Sequence, residues 1–150
     1  MPDSARTLPP IVVDASVWVA RYVPTDAFHV ESAAWVRRQL RARRVLFIPA
    51  ILAPELAGSL ARILNDTAFG VRAARDVMRL RCVRLVPVDS ELAEEALRTA
   101  ASLRLRGADS VYAALARRLG VQLVSWDKEQ LARAGAVPPS RAGRTRAVSG

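Results

Sequence analysis

Short runs of β-branched and aliphatic residues alternate along this chain with longer stretches in which apolar positions recur every three or four residues, the two signatures of buried strand and amphipathic helix. Ile11-Val12-Val13 is apolar on both faces, as a strand inside a parallel sheet is, and it ends in Asp14-Ala15-Ser16, residues that suit a helix start. Val45-Leu46-Phe47-Ile48, Val83-Arg84-Leu85-Val86 and Val121-Gln122-Leu123-Val124 read as three further strands, with Pro49 marking where the second cannot continue. Between them the periodicity predicts a short helix over 16–21, stopped around Pro24. A longer one runs from about Ala27 to Arg43, with Thr25 or Asp26 as its cap and Phe28, Ala33, Trp35, Val36 and Leu40 facing inward. Helices follow from Ile51 to Asn65 and from Ala68 to Arg81. Two more lie between Ser90 and Leu119, divided near Arg106-Gly107-Ala108, and a last one spans Lys128 to Ala134. Strands separated by helices predict an α/β domain with a parallel sheet covered on both faces. No repeat or linker divides the chain, so 1–150 reads as one domain with its core over about 11–134. Residues 1–9 and 138–150 read as flexible extensions, the second a basic tail carrying Arg141, Arg144 and Arg146.

A chain of 150 residues can bury a core without staples. Its mean hydropathy is +0.12, yet Pro, Glu and Arg interrupt every apolar run well short of a membrane span, and the N-terminus does not read as a signal peptide. The expectation is a soluble, cytoplasmic protein. Cys82 is the only cysteine and His29 the only histidine, so neither a disulfide framework nor a zinc site is expected, and any metal must be held by oxygen. The net charge of +9 points to a polyanionic partner, although Lys128 is the only lysine and arginine enrichment can also reflect base composition. Aromatic residues make up 5% of the chain, which argues against a stacking platform for single-stranded bases.

Four acids have no obvious solvent-facing reason to be where they are. Asp14 ends the first strand, Asp127 follows the last, Glu55 lies in the first turn of a helix lined with Leu and Ala, and Asp109 opens a helix rich in Ala, Val and Leu. Should the first and last strands be neighbours, all four face one crevice at the carboxyl ends of the strands, where open α/β sheets bind ligands. Crowded carboxylates repel and raise one another's pKa values, and a hard divalent cation such as Mg²⁺ or Mn²⁺ relieves this. Plainer readings exist: Asp109 or Asp127 as a helix cap, and Glu55 as a partner of a helix dipole. Asp14 is harder to dismiss, because a charge directly after a buried strand is costly unless paired. Asp89 or Ser90 reads as a cap, Asp76 as a solvent-facing charge and His29 as a surface or packing residue.

Val12-Val13-Asp14-Ala15-Ser16, Pro54-Glu55-Leu56, the run from Arg106 through Asp109 to Ala116, and Leu123-Val124-Ser125-Trp126-Asp127 together resemble the successive motifs of PIN-domain ribonucleases, in particular the VapC-type toxins of toxin–antitoxin pairs. The resemblance extends from about Ile11 to Ala134. It implies a three-layer α/β/α sandwich and a metal site of Asp14, Glu55, Asp109 and Asp127. It further implies Mg²⁺- or Mn²⁺-dependent RNA cleavage leaving 5′-phosphate and 3′-hydroxyl ends, homodimerisation, and inhibition by a cognate antitoxin. Ser16 and Ser125 match positions where the family often carries a hydroxyl beside the acids, and enter as supporting residues. The chemistry agrees, since bound divalent metal activates water and neutralises phosphoryl charge without needing a histidine. Generous apolar stripes between Ile51 and Arg81 predict a surface for a second copy or an antitoxin helix. Three alternatives remain. A receiver-like phosphoacceptor would need paired acids after the first strand, and a haloacid-dehalogenase-like phosphatase would need an acid where Ser16 stands. The third is a non-catalytic PIN-like module that binds RNA or protein. A PIN nuclease with a housekeeping role in place of a toxin role is also compatible with these motifs.

Overall fold

Four strands and seven α-helices are present in the computed structural model, which describes residues 7–142. The strands are β1 (Ile11–Val13), β2 (Leu46–Pro49), β3 (Val83–Val86) and β4 (Gln122–Val124), in the order β3-β2-β1-β4 with every pairing parallel. Having a partner on each side is what the apolar run of β1 requires, and Ile11, Val12 and Val13 are fully buried. Val45 and Val121 fall just outside their strands. Pro49, expected to stop β2, instead occupies its last position opposite Val86, and the ladder closes through the next amide, Ala50 N–H donating to Val86 O at 2.8 Å.

The helices are α1 (Ala15–Tyr22), α2 (His29–Arg41), α3 (Leu52–Leu64), α4 (Thr67–Arg79), α5 (Ser90–Leu103), α6 (Gly107–Leu119) and α7 (Lys128–Arg133). Steps from β1 to β2 to β3 move one way across the sheet, whereas the step from β3 to β4 returns past both. Right-handed crossovers then put α1 to α4 on one face and α5 and α6 on the other, the expected three layers. The reversal lies between β1 and β4, the kind of switch point where α/β sheets bind ligands.

The core follows the sequence closely, whereas the cap expected for α2 does not: Phe28, not Thr25 or Asp26, holds that position, and its side chain makes no capping bond. Leu52, Leu56 and Leu60 bury one stripe of α3, and α4 closes on it through Ala73, Ala74 and Val77. Gly70 sets that approach: a Cβ there would lie 2.5 Å from the Ala57 carbonyl oxygen. Asp89 caps α5 as expected, its carboxylate accepting from Leu92 N–H. His29 is a packing residue, its ring nitrogen 2.9 Å from the Ala20 carbonyl.

Two further expectations change. Phe28, assigned to the inward face of a helix, precedes α2 and is 41% exposed, because α2 starts only at His29 and Asp26 accepts from the Phe28 N–H within the preceding turn. The C-terminal extension is docked where it begins. Val137 bridges to Val124, Pro139 is buried, and a 3₁₀ turn over Pro139–Arg141 packs against α2. Arg144 and Arg146 lie outside the described residues. Among those residues no helix is long and apolar enough to cross a membrane.

Candidate active site

At the carboxyl ends of β1 and β4 the chain opens a cleft of ≈ 370 Å³ lined by Asp14, Glu55, Asp109 and Asp127, with Ser16, Phe28 and Trp126 on its walls. The four expected acids share this one cleft because β4 pairs with β1. Asp14 N–H donates to the Val124 carbonyl at 2.9 Å, which brings two chain segments more than a hundred residues apart into one turn.

Asp14 is 4% exposed and fully supplied with donors. Its Oδ2 accepts from the Ser16 N–H at 3.1 Å, capping α1, and from Ser125 Oγ at 3.0 Å; its Oδ1 accepts from Gln130 Nε2 at 3.1 Å. That resolves the cost of a charge after a buried strand: the carboxylate is held by three donors. Ser125 commits its only proton to Asp14, so across the 3.3 Å between the two serine hydroxyls Ser16 is the donor. Ser16 in turn accepts from the Trp126 N–H at 3.0 Å, and Ser125 from the Asp127 N–H at 2.9 Å. Both supporting serines therefore tie the β4 turn to the start of α1.

Asp127 caps α7, its Oδ1 accepting from the Gln130 N–H at 2.9 Å, and it lines the cleft as well. For this residue the cap and the site are one. Asp109 is not a cap, since Arg106 occupies that position of α6; its Oδ1 accepts from Gln130 Nε2 at 3.1 Å. Burial pushes the Asp109 carboxyl above its ordinary range, and the negative charges of Asp14 and Asp127 push it the same way. Glu55 is also raised, first by burial and then by Asp14 and Asp109, with the Tyr112 hydroxyl, donating at 2.9 Å, pulling it back. Tyr112 is fully buried and its phenol is pushed far up, mainly by burial, so it remains a donor at every working pH.

Among the described residues no three acidic, histidine or cysteine side chains are gathered closely enough to enclose an ion as they lie. The donor set nonetheless suits a hard divalent cation. It is all oxygen, it faces one cleft, and two of its members feel a negative field that a cation relieves. The same field sets a pH dependence. Because folded Glu55 and Asp109 hold protons at higher pH than the unfolded chain does, their contribution to stability is lost as pH rises through their raised folded values. In chelator, the thermal midpoint should fall as pH rises from the ordinary carboxylate range through the raised one. With Mn²⁺ present the slope should flatten, and a midpoint indifferent to pH in chelator would contradict the raising of these two carboxyls by burial and by their acidic neighbours.

The sequence matches the PIN domain model over residues 11–136. This chain belongs to the PIN domain family. The solved structures similar to this PIN domain include Mycobacterium tuberculosis VapC20, described as a toxin that cleaves the sarcin-ricin loop, at 25% identity and a TM-score of 0.69, covering 85% of this chain and 96% of that one. A Pyrobaculum aerophilum protein matches at 26% identity and a TM-score of 0.66, covering 88% and 85%. Rickettsia felis VapBC2, solved with a DNA fragment from its promoter, shares the fold at 10% identity and a TM-score of 0.61, covering 85% and 96%. No curated protein matches.

Two residues of the PIN domain site escaped the sequence reading. Gln130 is fully buried and bridges Asp14 and Asp109 through one amide nitrogen, while its Oε1 has no partner among the described residues. Tyr112 lay inside a quoted motif without a role. The only cue for Gln130 was its place three residues after the cap Asp127, where a helix turns a side chain back over its own N-terminus. The PIN domain also has a larger cavity of ≈ 590 Å³ beyond the opposite ends of β2 and β3, lined by Arg43, Arg81, Arg84 and Cys82 among others, and no acid lines it.

Proposed function

We propose that this PIN domain is a metal-dependent endoribonuclease and the toxin of a toxin–antitoxin pair. The observation that carries the reading is the convergence of Asp14, Glu55, Asp109 and Asp127, from four separate elements, on a single cleft. These carboxylates would hold Mg²⁺ or Mn²⁺, which when bound supplies an activated water and neutralises charge on the phosphoryl oxygens. The chain's own contribution is positional. Ser125, Ser16 and Gln130 fix the two buried-edge acids, Asp14 and Asp109, and Tyr112 fixes Glu55, so that the oxygens face the cleft before substrate arrives. In-line displacement of the 3′ oxygen by water at this cleft would give 5′-phosphate and 3′-hydroxyl ends.

RNA as substrate is supported by the charge of +9. Among the described residues only Arg98, Arg118 and Arg133 form ion pairs, each with a glutamate, which leaves most of the arginine charge available for phosphates. A cognate antitoxin and homodimerisation are supported by the VapC likeness and by Ile63 and Val71, which stay exposed on α3 and α4 after the rest of their apolar stripes is buried. With RNA as substrate and an antitoxin as partner, the protein would act in the cytoplasm.

The test is cleavage of an end-labelled structured RNA by the purified protein. Cleavage is expected with Mn²⁺ or Mg²⁺, abolished by chelator, with 5′-phosphate on the downstream fragment and arrest by the product of a short reading frame beside the gene. Unchanged RNA in both metals would overturn the nuclease reading. Cleavage that no neighbouring gene product arrests would leave a nuclease but remove the toxin role.

A further inference from the structure

Sparse aromatics, counted over the whole chain, argue against base stacking, yet two of them meet at the wall of the acidic cleft. Phe28 and Trp126 lie ring on ring with centroids 4.0 Å apart and planes within 7°. The indole is held rigidly. Its Nε1 donates to Ser32 Oγ at 2.7 Å, and its backbone N–H donates to Ser16 Oγ, the hydroxyl that links α1 to Ser125 beside Asp14. The phenyl ring is held from the other side, with the Phe28 N–H on Asp26 and its carbonyl accepting from the Ser32 N–H. So placed, Phe28 is 41% exposed and lines the same cleft as the four carboxylates.

A fixed, solvent-facing aromatic pair beside a site that handles a phosphodiester offers what an unpaired base needs, a flat apolar surface with no sequence-reading donors. Charge sharpens the point. Among the described residues no lysine or arginine lines the cleft, so at this wall the chain offers a ligand an aromatic face and no ion pair to a phosphate. We propose that Phe28, stacked on Trp126, is the platform for a single-stranded nucleobase next to the scissile phosphate, which makes Phe28 a binding and specificity residue of the nuclease. This rests on the ribonuclease reading above. The selection it exerts is for an unstacked, unpaired nucleotide, because a base inside a duplex has both faces covered.

The experiment uses the full chain carrying Asp109→Asn, so that binding is read without turnover, in Mn²⁺ buffer. Affinities are measured for oligoadenylate and for an abasic ribose-phosphate oligomer of the same length and charge. Phe28→Leu keeps apolar bulk but removes the ring; Phe28→Tyr keeps the ring. Phe28→Leu should weaken oligoadenylate binding about 5- to 150-fold and leave the abasic oligomer unaffected, and Phe28→Tyr should restore the parent affinity. Trp126 emission should be quenched by oligoadenylate alone, readable because Trp18 and Trp35 are buried. Equal weakening of both oligomers, or none, overturns the platform, as does a Phe28→Leu variant that changes only self-association or antitoxin binding. If wild-type protein still cleaves RNA while either result is obtained, the platform alone falls. If wild type neither binds nor cleaves RNA in Mn²⁺, both readings fall together.

Discussion

Asp109→Asn should reduce RNA cleavage by about 10²–10³-fold or more, the scale on which one preorganised electrostatic contact at a reacting centre counts, while the metal-free fold becomes at least as stable as wild type. An asparagine is nearly isosteric and can still accept from Gln130 Nε2, so packing survives. What disappears is one negative charge from a group that burial, Asp14 and Asp127 all press towards neutrality. The helix-cap account has no purchase here, because Arg106 holds the cap position. Thermal midpoints in chelator and in Mn²⁺, beside cleavage rates, give the readout. The increment that Mn²⁺ adds to wild type, as any ligand of the native state does, should shrink in the variant. A variant with wild-type cleavage and the wild-type metal increment would remove Asp109 from the metal site.

Gln130→Glu should be the most damaging conservative change in the molecule. The amide nitrogen donates to both Asp14 and Asp109 from a fully buried position, and an ionised glutamate replaces two bonds with a third buried negative charge. Leaving such a charge uncompensated costs about 3–5 kcal/mol, a large part of the stability of an ordinary domain. The loss should depend on pH. A glutamate among carboxylates has a folded pKa well above its unfolded one, so where that acid is protonated its single O–H keeps one of the two bonds and the variant is closest to wild type, and it loses further stability as pH rises through the folded value. Denaturant unfolding at pH 5 and pH 7.5 measures the difference, and Mn²⁺ should recover part of it at the higher pH. Equal stability of variant and wild type at pH 7.5 would show that Gln130 does not hold these acids.

The order and type of the seven α-helices and four strands were legible from periodicity, with boundaries within a few residues, helped by terminators such as Pro24, Asn65 and Gly120, whereas the 3₁₀ turn at Pro139–Arg141 was not. Strand order was legible only as a condition: nothing in the residues of β4 says that it lies beside β1. The four acids could be named as a group although three of them, Glu55, Asp109 and Asp127, each had a plainer explanation, because Asp14 had none and their places at strand ends and helix starts pointed to one crevice. Asp127 shows the limit of that logic, since it is a cap and a cleft residue at once. Gln130 and Tyr112 stayed silent because an amide and a phenol inside apolar helices look like packing until the acids they hold are placed around them. Phe28 was misplaced for a simpler reason. Its apolar character fits the inward stripe of α2, and only the Asp26 turn, which delays the helix to His29, rotates it into the cleft.

The pairing of β4 with β1 has a consequence for synthesis. Asp14 leaves the ribosome early, but Ser125, Asp127 and Gln130, which support it or share its cleft, emerge more than a hundred residues later. Until then β1 has a partner on one side only, and the cleft lacks a wall. On the ribonuclease activity proposed above, the growing chain would have no complete site until these residues emerge, and a product truncated before residue 122 would lack β4 and with it the donors that hold Asp14.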